Sequence, residues 1–118
     1  MLVVDDDKGI CDTIYDIMTD LGFNVVIAND GYQAIEKIRN DGFDAALIDV
    51  RMPGIDGVET FRRIKQIHPD FSVFLMTAYA PNEQTANAIK EGVIAVIDKP
   101  FDILHVCKMI MECCGNNQ

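Results

Sequence analysis

The chain has 118 residues, 49% of them hydrophobic and 25% charged, which fits one globular core and excludes both a two-domain enzyme and a disordered chain. Nineteen Asp and Glu against ten Lys and Arg leave a net charge of −9, a field that repels nucleic-acid backbones and anionic lipid heads. No apolar run nears the roughly 20 residues that span a bilayer, and the N-terminus lacks a signal-peptide layout; the expectation is a cytoplasmic domain touching neither membrane nor nucleic acid.

In chain order, LVV (2–4) reads as a first strand, followed by Asp5-Asp6-Asp7, of which Asp7 suits a helix N-cap. Ile10, Ile14, Ile17 and Leu21 recur at helical spacing and predict the core stripe of a helix ending near Gly22. FNVVIA (23–28) predicts a second strand, and Asp30 caps a helix GYQAIEKI that ends near Gly42. DAALI (44–48) predicts a third strand that delivers Asp49. Met52-Pro53-Gly54 and Gly57 shape the loop beyond it, and Asp56 caps a helix GVETFRRI with His68 near its end as a dipole partner. SVFLM (72–76) predicts a fourth strand, running into Thr77-Ala78. NEQTANAIKE (82–91) is the least apolar helix and should be the loosest, with Ala86 and Ile89 carrying its buried face. IAVI (94–97) predicts a fifth strand leading to Asp98-Lys99-Pro100. Asp102 then caps a last helix with a stripe of Ile103, Cys107, Ile110, Met111 and Cys114, followed by a GNNQ tail.

Strands without polar alternation are buried on both faces, as in a parallel sheet covered by helices. Five alternating pairs predict an α/β, doubly wound (βα)5 fold as a single domain over residues 1–118. Such sheets place their sites beyond the carboxyl ends of the strands. Those ends carry Asp5, Asp6 and Asp7, then Asp49, then Thr77, then Lys99. Taken singly, each has a plain structural explanation: a cap, a turn, a strand residue, a solvated charge. Together they form a cluster that packing does not require. Carboxylates about 4 Å apart repel by roughly 4 kcal/mol per pair at an effective dielectric near 20, so the cluster wants a cation beyond one Lys. Hard oxygen ligands with incomplete protein coordination suit Mg²⁺, which joins phosphate oxygens to one or two carboxylates. A Mg²⁺-dependent phosphoryl site is the expectation. His105, Cys107, Cys113 and Cys114 admit a metal reading too, but a Cys-bearing apolar helix face explains them with less.

The motifs VVDDD, DVRMPGIDG, MTAYA and DKPF, in that order and covering essentially the whole chain, resemble the receiver domain of two-component response regulators. The resemblance implies a flavodoxin-like sheet in the order 2-1-3-4-5. It implies that Asp49 is a phosphoacceptor served by a sensor histidine kinase or histidine phosphotransfer protein. Asp6 resembles the direct Mg²⁺ ligand, Asp5 a ligand acting mainly through water, and Arg51 the residue whose main-chain carbonyl completes the metal shell. Thr77 and Lys99 match the groups that hold phosphoryl oxygens, and Ala78 is small where phosphate approaches the backbone. Pro100 follows Lys99 as in the family's cis peptide. Arg51 and Tyr79 occupy the flanking positions expected to modulate phosphoryl lifetime. Such a domain is not an enzyme beyond its own phosphorylation and dephosphorylation. The implied output face is formed by 82–91, the fifth strand and the last helix, binding a downstream output domain or protein, or a second copy as a homodimer. One departure stands out: Val96 occupies a switch position where most receivers carry Tyr or Phe, and a β-branched aliphatic cannot swing a ring between two pockets.

Two other readings compete. Asp5-Asp6-Asp7 is also a D-x-D after an apolar strand, as in haloacid-dehalogenase-type phosphatases, which would make Asp5 the nucleophile. That reading leaves DVRMPGIDG unexplained and lacks a second acidic pair. A phosphate-independent receiver-like binding module would not need the acceptor, carboxylates, Thr and Lys together. No Walker-type G-x-x-x-x-G-K-[ST] occurs.

Overall fold

The computed structural model describes residues 1–40, 42–78, 82–99 and 102–113. Five strands alternate with five helices: β1 (Leu2–Val4), α1 (Lys8–Asp20), β2 (Val26–Ala28), α2 (Gly31–Asn40), β3 (Ala45–Asp49), α3 (Gly57–Ile67), β4 (Ser72–Thr77), α4 (Glu83–Glu91), β5 (Ala95–Asp98) and α5 (Ile103–Cys113). All pairings are parallel, in the order β2-β1-β3-β4-β5.

The period of two along each strand splits the core into two layers. Leu2, Val4, Ala46, Ile48, Val73 and Leu75 point toward α2, α3 and α4, where Ile35, Phe61, Ile64 and Ala88 meet them. Val3, Leu47, Phe74, Met76 and Ile97 point the other way, toward Ile14 and Met18 of α1 and Val106 and Ile110 of α5. This two-sided burial is why the strands carry no polar alternation. No helix among the described residues is long and apolar enough to cross a membrane.

The anticipated caps form. Asp7, Asp30 and Asp56 accept main-chain N–H bonds from Ile10, Gln33 and Glu59, and Asp102 accepts from Leu104. His68 is the C-cap of α3, its ring edge-on to Phe71.

Four expectations need correction. β2 is shorter than FNVVIA: it pairs only with the three-residue β1, in register from Leu2↔Val26, while Phe23 N–H bonds back to Met18 O and closes the end of α1. The buried stripe of α1 is Cys11, Ile14 and Met18. Leu21 is 49% exposed, and Ile10 and Ile17 flank an open groove of about 780 Å³ against Ile103 of α5. In α4, reciprocal bonds between Asn82 and Thr85 fix the first turn and turn Thr85 and Ala88 inward, leaving Ala86 and Ile89 outside. Two small buried side chains are the least apolar anchorage of any described helix. In α5 the inward residues are Val106, Cys107 and Ile110, with Met111 exposed; Cys114 lies outside the described residues.

Candidate functional site

Strand order reverses around β1, because β2 lies on one side of it and β3, β4 and β5 on the other, so a crevice opens at the carboxyl ends of β1 and β3. Asp5 follows β1, its N–H extending the ladder to Ala28 O at 3.2 Å. Asp49 is the last residue of β3 and Thr77 the last of β4. Lys99 follows β5, anchored by its N–H on Thr77 O at 2.7 Å. The parallel ladder therefore delivers these side chains to one edge.

Asp5 is fully buried and Asp49 is 7% exposed. The Lys99 Nζ donates to Asp5 Oδ2 at 3.0 Å and lies 3.4 Å from Asp49 Oδ1. The other Asp5 oxygen accepts the Asp7 N–H at 2.9 Å, and its main-chain carbonyl accepts the Cys11 thiol at 3.2 Å. The Arg51 N–H donates to the Asp49 carboxylate. Oxygens of Asp5, Asp6 and Asp49 lie within 4.8 Å of one another, and Asp6 is the exposed member of the three.

One ammonium does not balance this charge. Burial first, then the Asp5 charge, push the Asp49 carboxyl up to about 6 despite Lys99. Burial pulls Lys99 down, but its hydrogen bond to Asp5 and the charges of both carboxylates outweigh it and hold the ammonium above its ordinary range. Burial and the same acidic surroundings push the Cys11 thiol up to about 11. A pocket that buries two carboxylates around one ammonium, with an all-oxygen donor set, fits a hard divalent cation.

The loop from Val50 to Asp56 is pinned at both ends. Val50 N–H reaches Met76 O, and Gly57 N–H returns to Val50 O at 2.8 Å. A Cβ at Gly57 would press into the Asp49 carbonyl and stand 2.8 Å from Val50 Cα, so only glycine lets α3 begin so close behind Asp49. Gly54 sits at φ +83° beside the Tyr32 ring. Asp56 also accepts from Gln84 of α4 at 3.1 Å, tying the loop after Asp49 to that helix.

Of the residues singled out in the sequence, Asp5, Asp6, Asp49, Thr77 and Lys99 gather at this edge. Thr77 is buried, and Ala78 is exposed just beyond it at the mouth of the α1–α5 groove. The Arg51 side chain is exposed at the start of the loop, and Val96 is half-buried against the layer under α3 and α4. Tyr79 and Pro100 lie outside the described residues. Sequence reasoning passed over two contacts, the Cys11 thiol on Asp5 and the Gln84 amide on Asp56. The available signal for the first was a thiol four residues after an N-cap, on the sheet-facing side of α1.

The model of the response regulator receiver domain family matches residues 1–111, and this chain belongs to that family. Its function is that of such domains, phosphorelay signalling in two-component systems. The transcriptional regulatory protein ZraR of Klebsiella oxytoca is 40% identical over 102 residues, 86% of this chain and 23% of the relative; the chain thus spans less than a quarter of that regulator. A CheY-like receiver domain protein from Methanospirillum hungatei superposes with TM-score 0.91 at 30% identity, over 96% of this chain and 90% of that one. The structure of a CheX–CheY–BeF3–Mg complex from Borrelia burgdorferi matches at TM-score 0.88 and 27% identity, over 95% and 86%. Membership removes the phosphatase alternative, since the family model runs through DVRMPGIDG, which that alternative left unexplained.

Proposed function

We propose that Asp49 accepts a phosphoryl group from the phosphohistidine of a kinase or phosphotransfer protein, and that Asp5, Asp6, Asp49 and the main-chain carbonyl of Arg51 hold Mg²⁺. The observation that carries this reading is the buried Asp49 carboxylate facing Asp5, Asp6 and Lys99 across one strand-end crevice. An Asp49 oxygen attacks phosphorus in line, the P–N bond breaks, and the freed imidazole takes up a proton. Bound Mg²⁺ supplies charge neutralisation to the acceptor and the incoming phosphoryl oxygens. Lys99, already 3.4 Å from Asp49, and the Thr77 hydroxyl hold the phosphoryl oxygens once transferred. The phosphorylated side chain carries about −1.5 to −2 charge, and the ammonium then shifts from a purely carboxylate environment toward the phosphoryl group. Arg51 and Tyr79 flank the path of hydrolytic water and set how long the acyl phosphate lasts.

The apolar groove of Ile10, Ile14, Ile17 and Ile103 opens beside Lys99 and supports approach of the phosphodonor from that side. The signal leaves by α4, β5 and α5, where Ile89, Ile94, Leu104 and Met111 are exposed and suit an output domain, a separate protein or a second copy. With Val96 in place of an aromatic switch, coupling runs through Thr77 and the thinly anchored α4. The −9 charge argues against DNA contact by this domain itself, and exchange with a kinase that consumes ATP supports a cytoplasmic location.

Beryllofluoride with Mg²⁺, followed by amide NMR, tests this. Changes in amide frequency should begin at 49–57 and extend through Thr77 into residues 83–98. Changes confined to 49–57 would overturn the route to the output face, and an unresponsive spectrum would overturn the acceptor assignment.

A further inference from the structure

Asp6 is the exposed member of the carboxylate cluster, and its side chain has no hydrogen bond or ion pair among the described residues. Its direction is therefore set by its backbone, and both peptides flanking it are tied down. The peptide after it is held by the Asp7 N–H on Asp5 Oδ1 at 2.9 Å, and the peptide before it by the Cys11 thiol on the Asp5 carbonyl at 3.2 Å. Asp5 N–H, on the preceding peptide, is held by Ala28 O; on the Asp5–Asp6 peptide itself the carbonyl is restrained by the Cys11 thiol. Cys11 can act this way because it sits on the inward stripe of α1, 2% exposed, with its own N–H bonded to Asp7 O at 3.1 Å. A helix capped by Asp7 thus returns a donor to the strand end it has just left.

We propose that Cys11 is a positioning residue for the metal carboxylates, its thiol fixing the peptide that aims Asp6 and so setting the affinity of the cluster for a divalent cation. This rests on the metal-binding reading above. Groups that orient a ligand from behind commonly alter metal affinity by about 10–100-fold. A thiol is a weak donor, so the expected effect lies below that range.

The test compares Mg²⁺ dissociation constants, from titration of the Asp6 and Asp49 amide signals, for the parent, Cys11→Val, Cys11→Ser and Cys107→Val. Val keeps the approximate volume without the donor, and Ser restores a donor. Cys107→Val makes the same change at a buried thiol of α5, in the core layer shared with α1. Cys11→Val should bind Mg²⁺ about fivefold more weakly and move the Asp5 carbonyl ¹³C signal upfield. Cys11→Ser should return to within about twofold of the parent, and Cys107→Val should leave both readouts unchanged. Should Ser not fold, Cys11→Val against Cys107→Val still decides, with thermal unfolding run on each. Equal affinity in the parent and Cys11→Val, or an equal loss in Cys107→Val, would overturn the positioning role. A parent that takes no Mg²⁺ at millimolar concentration would overturn the metal reading itself, and the inference with it.

Discussion

At pH 8 and without divalent metal, Asp49→Asn should make the fold more stable. The Asp49 carboxyl is pushed up to about 6 from an ordinary 3.8, by burial first and by Asp5 next. The folded state therefore holds this proton more tightly than the unfolded chain does. Its contribution to stability is complete below pH 3.8 and is lost as pH rises through about 6. Above that, the fold carries an ionised carboxylate at a cost of about 3 kcal/mol, since a tenfold change in proton affinity is worth about 1.4 kcal/mol. The pull of Lys99, 3.4 Å away, is already inside that net figure. Asn has nearly the same shape and no charge to bury. The variant should gain about 1–3 kcal/mol at pH 8 and lie close to the parent at pH 4. Urea denaturation followed by circular dichroism, in chelator, measures both. Mg²⁺ should narrow the gap at pH 8 by binding the folded parent. An Asn variant less stable than the parent at pH 8, or a difference that does not change between pH 4 and pH 8, would show that burying the ionised Asp49 carboxylate does not cost the fold.

Lys99→Met removes the ammonium that pairs with a fully buried Asp5. Urea denaturation at pH 8 should show a loss of about 3–5 kcal/mol, the usual cost of leaving one partner of a buried pair uncompensated. Gly57→Ala would normally favour a helix start, yet here the added methyl meets Asp49 and Val50 backbone. A loss of about 1–3 kcal/mol together with slower phosphoryl uptake is expected, and a stabilised, fully active variant would show that the loop has room. Asp56→Ala should cost about 1 kcal/mol through the lost cap of α3. It should also free Gln84, detected as faster amide exchange in α4 than in α2.

The strands were legible because burial on both faces leaves continuous apolar runs, and the acidic and basic residues at their ends were legible because nothing in the core calls for them. The resemblance to receivers then supplied the order of the sheet and the roles of the individual side chains. Helix faces were harder to read. In α1 the isoleucines suggest a stripe about one position off from the buried one, because Cys11 and Met18 fit against the sheet while Ile10 and Ile17 rim a groove. In α4 the Asn82–Thr85 box, not hydrophobicity, sets the rotation. Contacts between elements far apart in sequence, such as Gln84 with Asp56, leave no local pattern. The thiol of Cys11 reaches the Asp5 carbonyl only because the β1–α1 turn folds back on itself.

Whether Asp49 takes the phosphoryl group is decided by intact mass with peptide mapping after incubation with acetyl phosphate and Mg²⁺. One phosphoryl adduct per chain, located on Asp49, labile to hydroxylamine and absent from Asp49→Ala, is the expected result. A full adduct on Asp49→Ala, or label mapped to Asp5, would contradict it.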